Sequence, residues 1–189
     1  ANIPVLSVQV RVPDTALFGV DNPLSGFASA KGVAEAAKQK FGGGTPAGAA
    51  GPGVATMASG DHHACAVRTD RTVWCWGAAS WGQLGDGTTG DAVDHLRTTP
   101  VQVLRGTSAL KGVAKITAGA ASACAVRTDG TVWCWGLGTR GQLGDGEAGT
   151  GHHRTKAAQV RRGTGYLTDI VHLSAGYEHV CALRSDGTV

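Results

Sequence analysis

Residues 64–77 read ACAVRTDRTVWCWG, and residues 123–136 read ACAVRTDGTVWCWG. The two stretches lie 59 residues apart and differ at one position of 14, where Arg71 stands against Gly130. A third copy, VCALRSDGTV, occupies residues 180–189 and begins 57 residues after the second. Matches of this length at a nearly fixed separation identify an internal repeat, which governs how the rest of the chain is interpreted.

The repeat extends to both sides of these stretches. GQLGDG follows the first two copies after four unlike residues, at residues 82–87 and 141–146. On the other side, residues 53–60, 112–119 and 169–176 share one apolar pattern. Each repeat therefore spans most of the interval between one copy and the next.

Each unit is predicted to form four short strands, which in the second unit read VQV, VAKIT, SACAVRT and TVWCW. The last two alternate apolar and polar residues around a T-D-G-T turn, as β-hairpins do. Gly130 supplies the left-handed residue of this turn, whereas Arg71 must adopt a positive φ at a cost of about 1 kcal/mol or change the turn. Four antiparallel strands repeated every 50–60 residues or so predict the blades of a β-propeller.

The fold is accordingly predicted to be all-β, with about three four-stranded antiparallel blades in an incomplete ring. The repeat region covers residues 54–189, in units of about 54–99, 100–156 and a truncated 157–189. Because open blades expose strand edges, we expect either a part of a longer protein or chains that associate edge to edge.

The start of the chain carries no copy of the repeat. Residues 1–41 are predicted to form a short β/α segment, with a strand over 5–12 and a helix over 27–41. Residues 42–53, rich in Gly and Pro, are predicted to be a flexible linker. Two interpretations remain: a small cap or piece of a preceding domain, or a first strand that completes a blade edge.

The repeated motifs resemble those of a known family. VWCWGxxxxGQLGDG, preceded by AGxxxxCAVRTDGT, resembles the repeat of the regulator of chromosome condensation, and its cysteine-bearing form resembles the bacterial members. The resemblance implies propeller blades, usually seven to a ring, that act mainly as protein-binding platforms. The eukaryotic founder exchanges nucleotide on a small GTPase while bound to chromatin, and one bacterial relative inhibits β-lactamases.

Composition and charge restrict the classes of function. Thirty glycines argue against a helical bundle, and no apolar run approaches the roughly 20 residues that cross a bilayer. The net charge of +3 is too small to indicate a nucleic-acid partner. A modest basic cluster at residues 152–162 is interpreted as a solvated face, with an acidic partner as the alternative.

The cysteines recur with the repeat, as a C-x9-C pair in each complete copy. If the turn is a three-residue loop with a glycine bulge, the two cysteines of a pair lie directly opposite each other, within disulfide range. A two-residue loop would instead turn them to opposite faces. We therefore predict the disulfides Cys65–Cys75 and Cys124–Cys134, which would place the chain outside the reducing cytosol, extracellular or at the cell surface. Buried free thiols are the alternative, and the spacing does not suit zinc.

Motifs for catalysis are lacking in the sequence. The paired histidines at residues 62–63 and 152–153 point to opposite faces if they lie on strands, so they form no ready chelate. No phosphate-binding loop followed by Lys and no GxSxG motif occurs. We expect no enzyme activity, no cofactor and no metal.

Comparison between the copies separates positions that build the blade from positions left free for other use. The positions that differ lie in loops, where binding residues are usually found on rigid scaffolds. Trp, Tyr and Arg among them are typical of binding hot spots, although ordinary loop drift is the alternative. The candidate binding residues are His62, His63, Trp81, Arg140, Tyr177 and Glu178.

The sequence therefore predicts a non-catalytic module that recognises a protein or a surface through its loops. Two alternatives remain: a structural module that assembles edge to edge into a larger ring or fibre, and an inhibitor of an extracellular enzyme. Nucleotide exchange rests on fold analogy alone and conflicts with the predicted disulfides.

Overall fold

The computed structural model describes residues 53–90 and 96–189. Within these residues every regular element is a β-strand and no helix is present, which confirms the predicted all-β class. The strand predicted over residues 5–12, the helix predicted over 27–41 and the predicted linker up to residue 52 lie outside the described residues. No segment in the described ranges forms a helix long and apolar enough to cross a bilayer.

The strands form two four-stranded antiparallel sheets, which are followed by the beginning of a third. The first sheet contains, in hydrogen-bonded order, β1 (Val54–Ser59), β2 (His63–Arg68), β3 (Val73–Ala78) and β4 (Leu96–Gln102). A small hairpin follows, made of β5 (Leu104–Arg105) and β6 (Ser108–Ala109). The second sheet contains β7 (Val113–Ala118), β8 (Ser122–Arg127), β9 (Val132–Leu137) and β10 (His153–Gln159). A second small hairpin, β11 (Arg161–Arg162) and β12 (Gly165–Tyr166), leads to the paired strands β13 (Ile170–Ala175) and β14 (Val180–Arg184).

The sheets are offset from the predicted four-strand units. The sequence places VQV, at residues 101–103, as the first strand of the second unit, but this stretch belongs to the outer edge of the first sheet. Val101 lies opposite Cys75, and Gln102 lies opposite Trp74. The reason is that a repeat period defines the length of a unit and not its starting point.

The β2–β3 hairpin closes through the three-residue loop on which the cysteine pairing depends. The main-chain N–H of Arg68 donates to the carbonyl of Thr72 at 2.9 Å, and Arg71 between them adopts a left-handed φ of 63°. Asp70 holds the turn, because its Oδ1 accepts a hydrogen bond of 2.6 Å from the Thr72 hydroxyl. Arg71 therefore keeps the turn and tolerates the positive φ.

This turn sets the register that brings the cysteines together. Cys65 lies opposite Cys75 in the first sheet, and Cys124 lies opposite Cys134 in the second. Both pairs are disulfides, as predicted. Cys181, at the corresponding position of β14, is free and exposed.

Neighbouring sheets pack through two different faces. We call the side that carries Cys65 and Val67 the cysteine face of the first sheet; the opposite side, its tryptophan face, carries Trp76 and two alanines. The cysteine face of the first sheet forms a core with Ala123, Ala125 and Trp135, on the tryptophan face of the second sheet. The cysteine face of the second sheet packs on the β13–β14 hairpin in the same way.

The sheets lie side by side in the order of the chain. Strand β7 lies against β1 and β2, and β13 lies against β7 and β8. First strands therefore follow one another along one side of the array, as they do at the centre of a propeller. The described residues form no closed ring, so the predicted propeller blades in an incomplete ring are confirmed.

Candidate functional site

The loops predicted to bind a partner lie at one end of the sheets. In an antiparallel order β1-β2-β3-β4, the β1–β2 loop and the β3–β4 loop leave the sheet at the same end. This end, which we call the loop end, carries residues 60–62, 119–121 and 176–179 and most of the longer loops 79–90 and 138–152. Leu84 and Leu143 of the longer loops turn back into the cores between the sheets. The short turns and the two small hairpins lie at the opposite end, which we call the turn end.

Main-chain hydrogen bonds join the loops of successive sheets. The N–H of Asp61 donates to the carbonyl of Ala120 at 3.2 Å, and the N–H of Ala120 donates to the carbonyl of Tyr177 at 3.1 Å. Within the first sheet, the N–H of Ala78 also donates to the carbonyl of His62 at 2.8 Å. The loop end is therefore one connected surface with a fixed backbone.

Trp81 and Arg140 project from loops that a repeated glutamine holds in place. The side-chain oxygen of Gln83 accepts the main-chain N–H of Trp81 at 2.8 Å, and Gln142 does the same for Arg140 at 2.8 Å. Trp81 is nevertheless 46% exposed. The backbone is thus preorganised, while the side chain at this position is free to differ between copies.

Tyr177 and Glu178 extend the same surface onto the third hairpin. Tyr177 is 68% exposed. Glu178 Oε2 lies 3.7 Å from Arg140 Nε, which joins the β13–β14 loop to the β9–β10 loop of the preceding sheet. Both side chains of this ion pair are exposed, so its contribution to stability is small. Of the residues predicted to bind a partner, Arg140 and Glu178 are the two that form an ion pair with each other.

The two histidines of the first loop have different surroundings. His62 is exposed, whereas His63 is buried at 4% exposure. Burial, reinforced by the nearby His62, lowers the pKa of His63 to about 4. The main chain of Ser122 opposes this shift, although neither ring nitrogen makes a hydrogen bond of good geometry within the described residues. His63 therefore cannot contact a partner directly.

One polar network at the loop end was not predicted from the sequence. Arg154 Nε donates to Asp145 Oδ2 at 2.6 Å, and His152 Nε2 lies 3.1 Å from the same oxygen. Arg154 also lies 3.0 Å from Glu147 through its second nitrogen. Burial acts to raise the pKa of Asp145, but the hydrogen bonds from Arg154 and the main chain of Glu147, together with the charge of Arg154, outweigh it and leave the pKa lowered.

Two carboxylates and a histidine of this network are residue types that bind metal cations, but an arginine already neutralises the carboxylates. Asp145, Glu147 and His152 each offer an atom within 4.8 Å of the others. The guanidinium of Arg154 already supplies positive charge to both carboxylates. We therefore interpret the cluster as an ion-pair network that fixes the loop. Because Arg154 and His152 contact Asp145 in this network, they do not belong to the solvated basic face that was predicted for residues 152–162.

The architecture defines a repeat protein of the β-propeller class, built from four-stranded blades. Models of the regulator of chromosome condensation (RCC1) repeat match residues 54–83 and 113–142, and in a second form residues 70–126 and 129–183. The matched residues are more than half of the chain, and the chain belongs to this repeat family.

Two curated relatives show how the similarity is distributed. The regulator of chromosome condensation of Xenopus laevis is 34% identical over 91 residues, which are 48% of this chain and 20% of that protein. The human E3 ubiquitin-protein ligase HERC2 is 31% identical over 140 residues, which are 74% of this chain and 3% of the ligase. The chain thus spans a fifth or less of the length of these relatives.

Solved structures agree on the fold. The chain superposes on Prp20p from Saccharomyces cerevisiae with a TM-score of 0.59 at 26% identity, covering 76% of this chain and 31% of that one. Human WBSCR16 gives a TM-score of 0.60 at 19% identity, covering 72% of this chain and 32% of that one, and supports the fold alone. The Prp20p structure is described together with its binding to Gsp1p and histones.

Proposed function

We propose that the chain is a non-catalytic module that binds a protein partner through its loop end. The observation that carries this proposal is the pair of exposed aromatic side chains, Trp81 at 46% and Tyr177 at 68%, on a surface whose backbone is fixed by hydrogen bonds. Exposed aromatic residues of this kind are the usual hot spots of protein interfaces. A fixed backbone loses little conformational entropy on binding.

Charge and the relatives support a protein partner. The net charge of +3 is small, and the loop end carries both signs, with Glu178 beside Arg140 and Asp61 on the first loop. Prp20p, whose fold is similar, is described with protein partners. The ligase relative contains far more chain than this repeat region, so its activity gives no reason to assign catalysis here. An extracellular enzyme inhibited by the chain would be one partner of this class.

The test compares variants at the two ends of the sheets. Trp81→Ala and Tyr177→Ala remove the aromatic side chains at the loop end, whereas Tyr166→Ala removes an aromatic residue of exposure intermediate between theirs, 56%, at the turn end. For a partner captured by the unchanged chain, the affinity measured by calorimetry should fall at least about 30-fold with either loop-end substitution. It should be unchanged with Tyr166→Ala. Equal losses at both ends, or none, would reject the loop end as the binding surface.

An extracellular or cell-surface location is proposed from the two disulfides. Both bonds lie in the cores between sheets, where Cys65, Cys75, Cys124 and Cys134 are all buried. Such bonds persist in oxidising compartments and are rare in the cytosol. Mass spectrometry of the protein from its native source should show a gain of two hydrogens for each disulfide on reduction. Four free thiols in that material would contradict the proposed location.

A further inference from the structure

A row of main-chain hydrogen bonds crosses the turn end of the first sheet. The N–H of Val103 donates to the carbonyl of Val73 at 3.0 Å, and the N–H of Leu110 donates to the carbonyl of Val103 at 2.8 Å. All three residues belong to the core between the first and second sheets, so the row has a fixed position. Three cationic residues lie within two positions of the row along the chain, namely Arg71, Arg105 and Lys111.

These three side chains are exposed, and none forms an ion pair within the residues that the structure describes. The carboxylates of the neighbouring turns are bound by other groups. Asp70 accepts a hydrogen bond of 2.6 Å from the Thr72 hydroxyl and lies 3.8 Å from Arg68. Asp129, in the corresponding turn of the second sheet, forms an ion pair with Arg127. The three cations therefore place positive charge at this junction that no nearby carboxylate neutralises.

The repeat does not require this cluster. The same hydrogen-bonded row recurs in the second sheet, but Gly130 occupies the position of Arg71 there, and Thr168 occupies the position of Lys111. Only the third cation has a cationic counterpart, which is Arg162. The blade is thus built in the same way without two of the three charges, and these two belong to the positions that the scaffold leaves to other uses.

Arg71 occupies its position at a conformational cost. Its φ is 63°, and the equivalent residues Gly130 and Gly187 have φ values of 75° and 86°. A positive φ is unfavourable for a residue with a Cβ and is accessible to glycine. Backbone strain of this kind is concentrated at functional sites. Because the guanidinium forms no ion pair that offsets the strain among the described residues, the strain indicates an interaction outside the chain.

The other two cations are held in place before any ligand binds. The guanidinium of Arg105 lies over the ring of Trp133 in the second sheet, with its Cζ 5.2 Å from the ring centroid. The backbone at Lys111 is fixed, because its carbonyl accepts a hydrogen bond of 2.9 Å from Arg127 Nε. A guanidinium stacked on an aromatic ring loses little freedom on binding, and its planar set of N–H donors matches a carboxylate.

We propose that Arg71, Arg105 and Lys111, which we call the turn-end cations, bind a short acidic segment of a protein through its Glu or Asp carboxylates. An evenly charged polymer fits this surface less well, because the exposed carboxylates of Asp70 and Asp129 lie in the same turns and repel closely spaced negative charges. The turn-end cations lie at the opposite end of the sheets from the aromatic loop-end surface. This second surface goes beyond the proposed function and does not depend on it.

The first test measures the affinity of the 189-residue chain for a fluorescent oligoglutamate peptide by anisotropy, at low ionic strength and with oligoglutamine as the neutral control. Arg71→Gly and Lys111→Thr introduce the residues that the second sheet carries at these positions. Each should weaken binding at least about 5-fold, because each removes one charged contact. Arg140→Gln removes the same charge at the loop end and should leave the affinity unchanged.

The second test separates the charge of Arg71 from its backbone strain. Arg71→Ala keeps the positive φ and removes the guanidinium, so it should weaken binding as much as Arg71→Gly although only glycine relieves the strain. Arg71→Lys should retain most of the affinity. A loss with glycine but none with alanine would overturn the proposal, because binding would then follow the backbone and not the charge.

Three further outcomes would also overturn it. They are equal losses from Arg71→Gly and Arg140→Gln, equal affinity for oligoglutamine, and displacement of the peptide by heparin at a lower concentration of charge than oligoglutamate itself requires. The last would assign the surface to a polysaccharide. Trp81→Ala should not change the affinity for oligoglutamate, so failure of the proposed loop-end function and failure of this proposal give different results.

Discussion

The indole N–H of Trp135 donates a hydrogen bond of 3.0 Å to the main-chain carbonyl of Gln83, which lies in the β3–β4 loop of the preceding sheet. The bond is buried and connects residues that are 52 positions apart. Trp76 occupies the same position in the first sheet, but its indole N–H has no partner within the described residues. The two tryptophans therefore form a natural matched pair for measuring what this bond contributes.

Trp135→Phe should destabilise the chain more than Trp76→Phe. Both substitutions make the ring smaller, but only the first leaves the Gln83 carbonyl without the indole donor. The difference in the free energy of unfolding should be about 1–3 kcal/mol. Urea denaturation followed by circular dichroism measures it. Equal losses for the two variants would show that the hydrogen bond adds nothing to packing.

Arg154→Met should destabilise the chain because it leaves the buried carboxylate of Asp145 without its strongest partner. A loss of about 3 kcal/mol is expected for a buried charge deprived of its ion pair. Arg97→Met is the matched control, since Arg97 holds the same repeat position but its Nε lies 3.6 Å from Asp86, beyond hydrogen-bond distance, whereas Arg154 Nε lies 2.6 Å from Asp145. The control should lose under about 1 kcal/mol. Thermal or urea unfolding compares the two variants, and a loss from Arg154→Met no larger than that of the control would contradict the assignment.

His63 should make stability depend on pH in a window that lies mostly above that of the carboxylates. Its pKa is about 4 in the folded chain against an ordinary value of 6.5. Because the unfolded chain binds this proton more readily, stability is complete above about pH 6.5 and decreases as the pH falls toward 4. His63→Ser, which copies Ser122, should remove about 2–3 kcal/mol of the loss between pH 7 and about pH 4.5. If both proteins lose stability in parallel across this range, His63 is not the group responsible.

Arg71→Gly should stabilise the first hairpin. Arg71 holds a left-handed φ of 63°, whereas the equivalent turns carry Gly130 and Gly187. Relief of this strain, reduced by the greater freedom of glycine in the unfolded chain, should raise the free energy of unfolding by about 0.5–1 kcal/mol. Arg71→Ala removes the same side chain but keeps the strain, so it should bring no gain. A gain as large from alanine would point to the arginine side chain instead of the backbone.

Local features of the fold were predictable from the sequence because they depend on neighbouring residues. The T-D-G-T turn and the alternation around it define the hairpin, and the three-residue loop then places Cys65 opposite Cys75. The buried position of His63 was also readable, since it lies two residues before Cys65 on the same strand and shares its face. Grouping it with the exposed loop overlooked that alternation.

Contacts between sheets could not be predicted in this way. The ion pair of Arg140 with Glu178 and the hydrogen bond of Trp135 with Gln83 depend on how one sheet is placed against the next. No local pattern encodes that placement. The Arg154–Asp145 pair left a weaker signal, because both copies of the repeat contain an arginine and an aspartate at these positions. The strand at which each sheet begins could not be predicted, because the repeat has the same period whichever of its strands is taken as the first.

The loops at Asp61, Ala120 and Tyr177 are joined through N–H and carbonyl groups, with no side chain involved. Any amino acid except proline brings the same donor and acceptor to these positions. Side chains in these loops can therefore change from one repeat to the next and alter what each loop recognises. The main-chain hydrogen bonds between successive loops are kept. The same property makes these three loops suitable for randomisation in a display library.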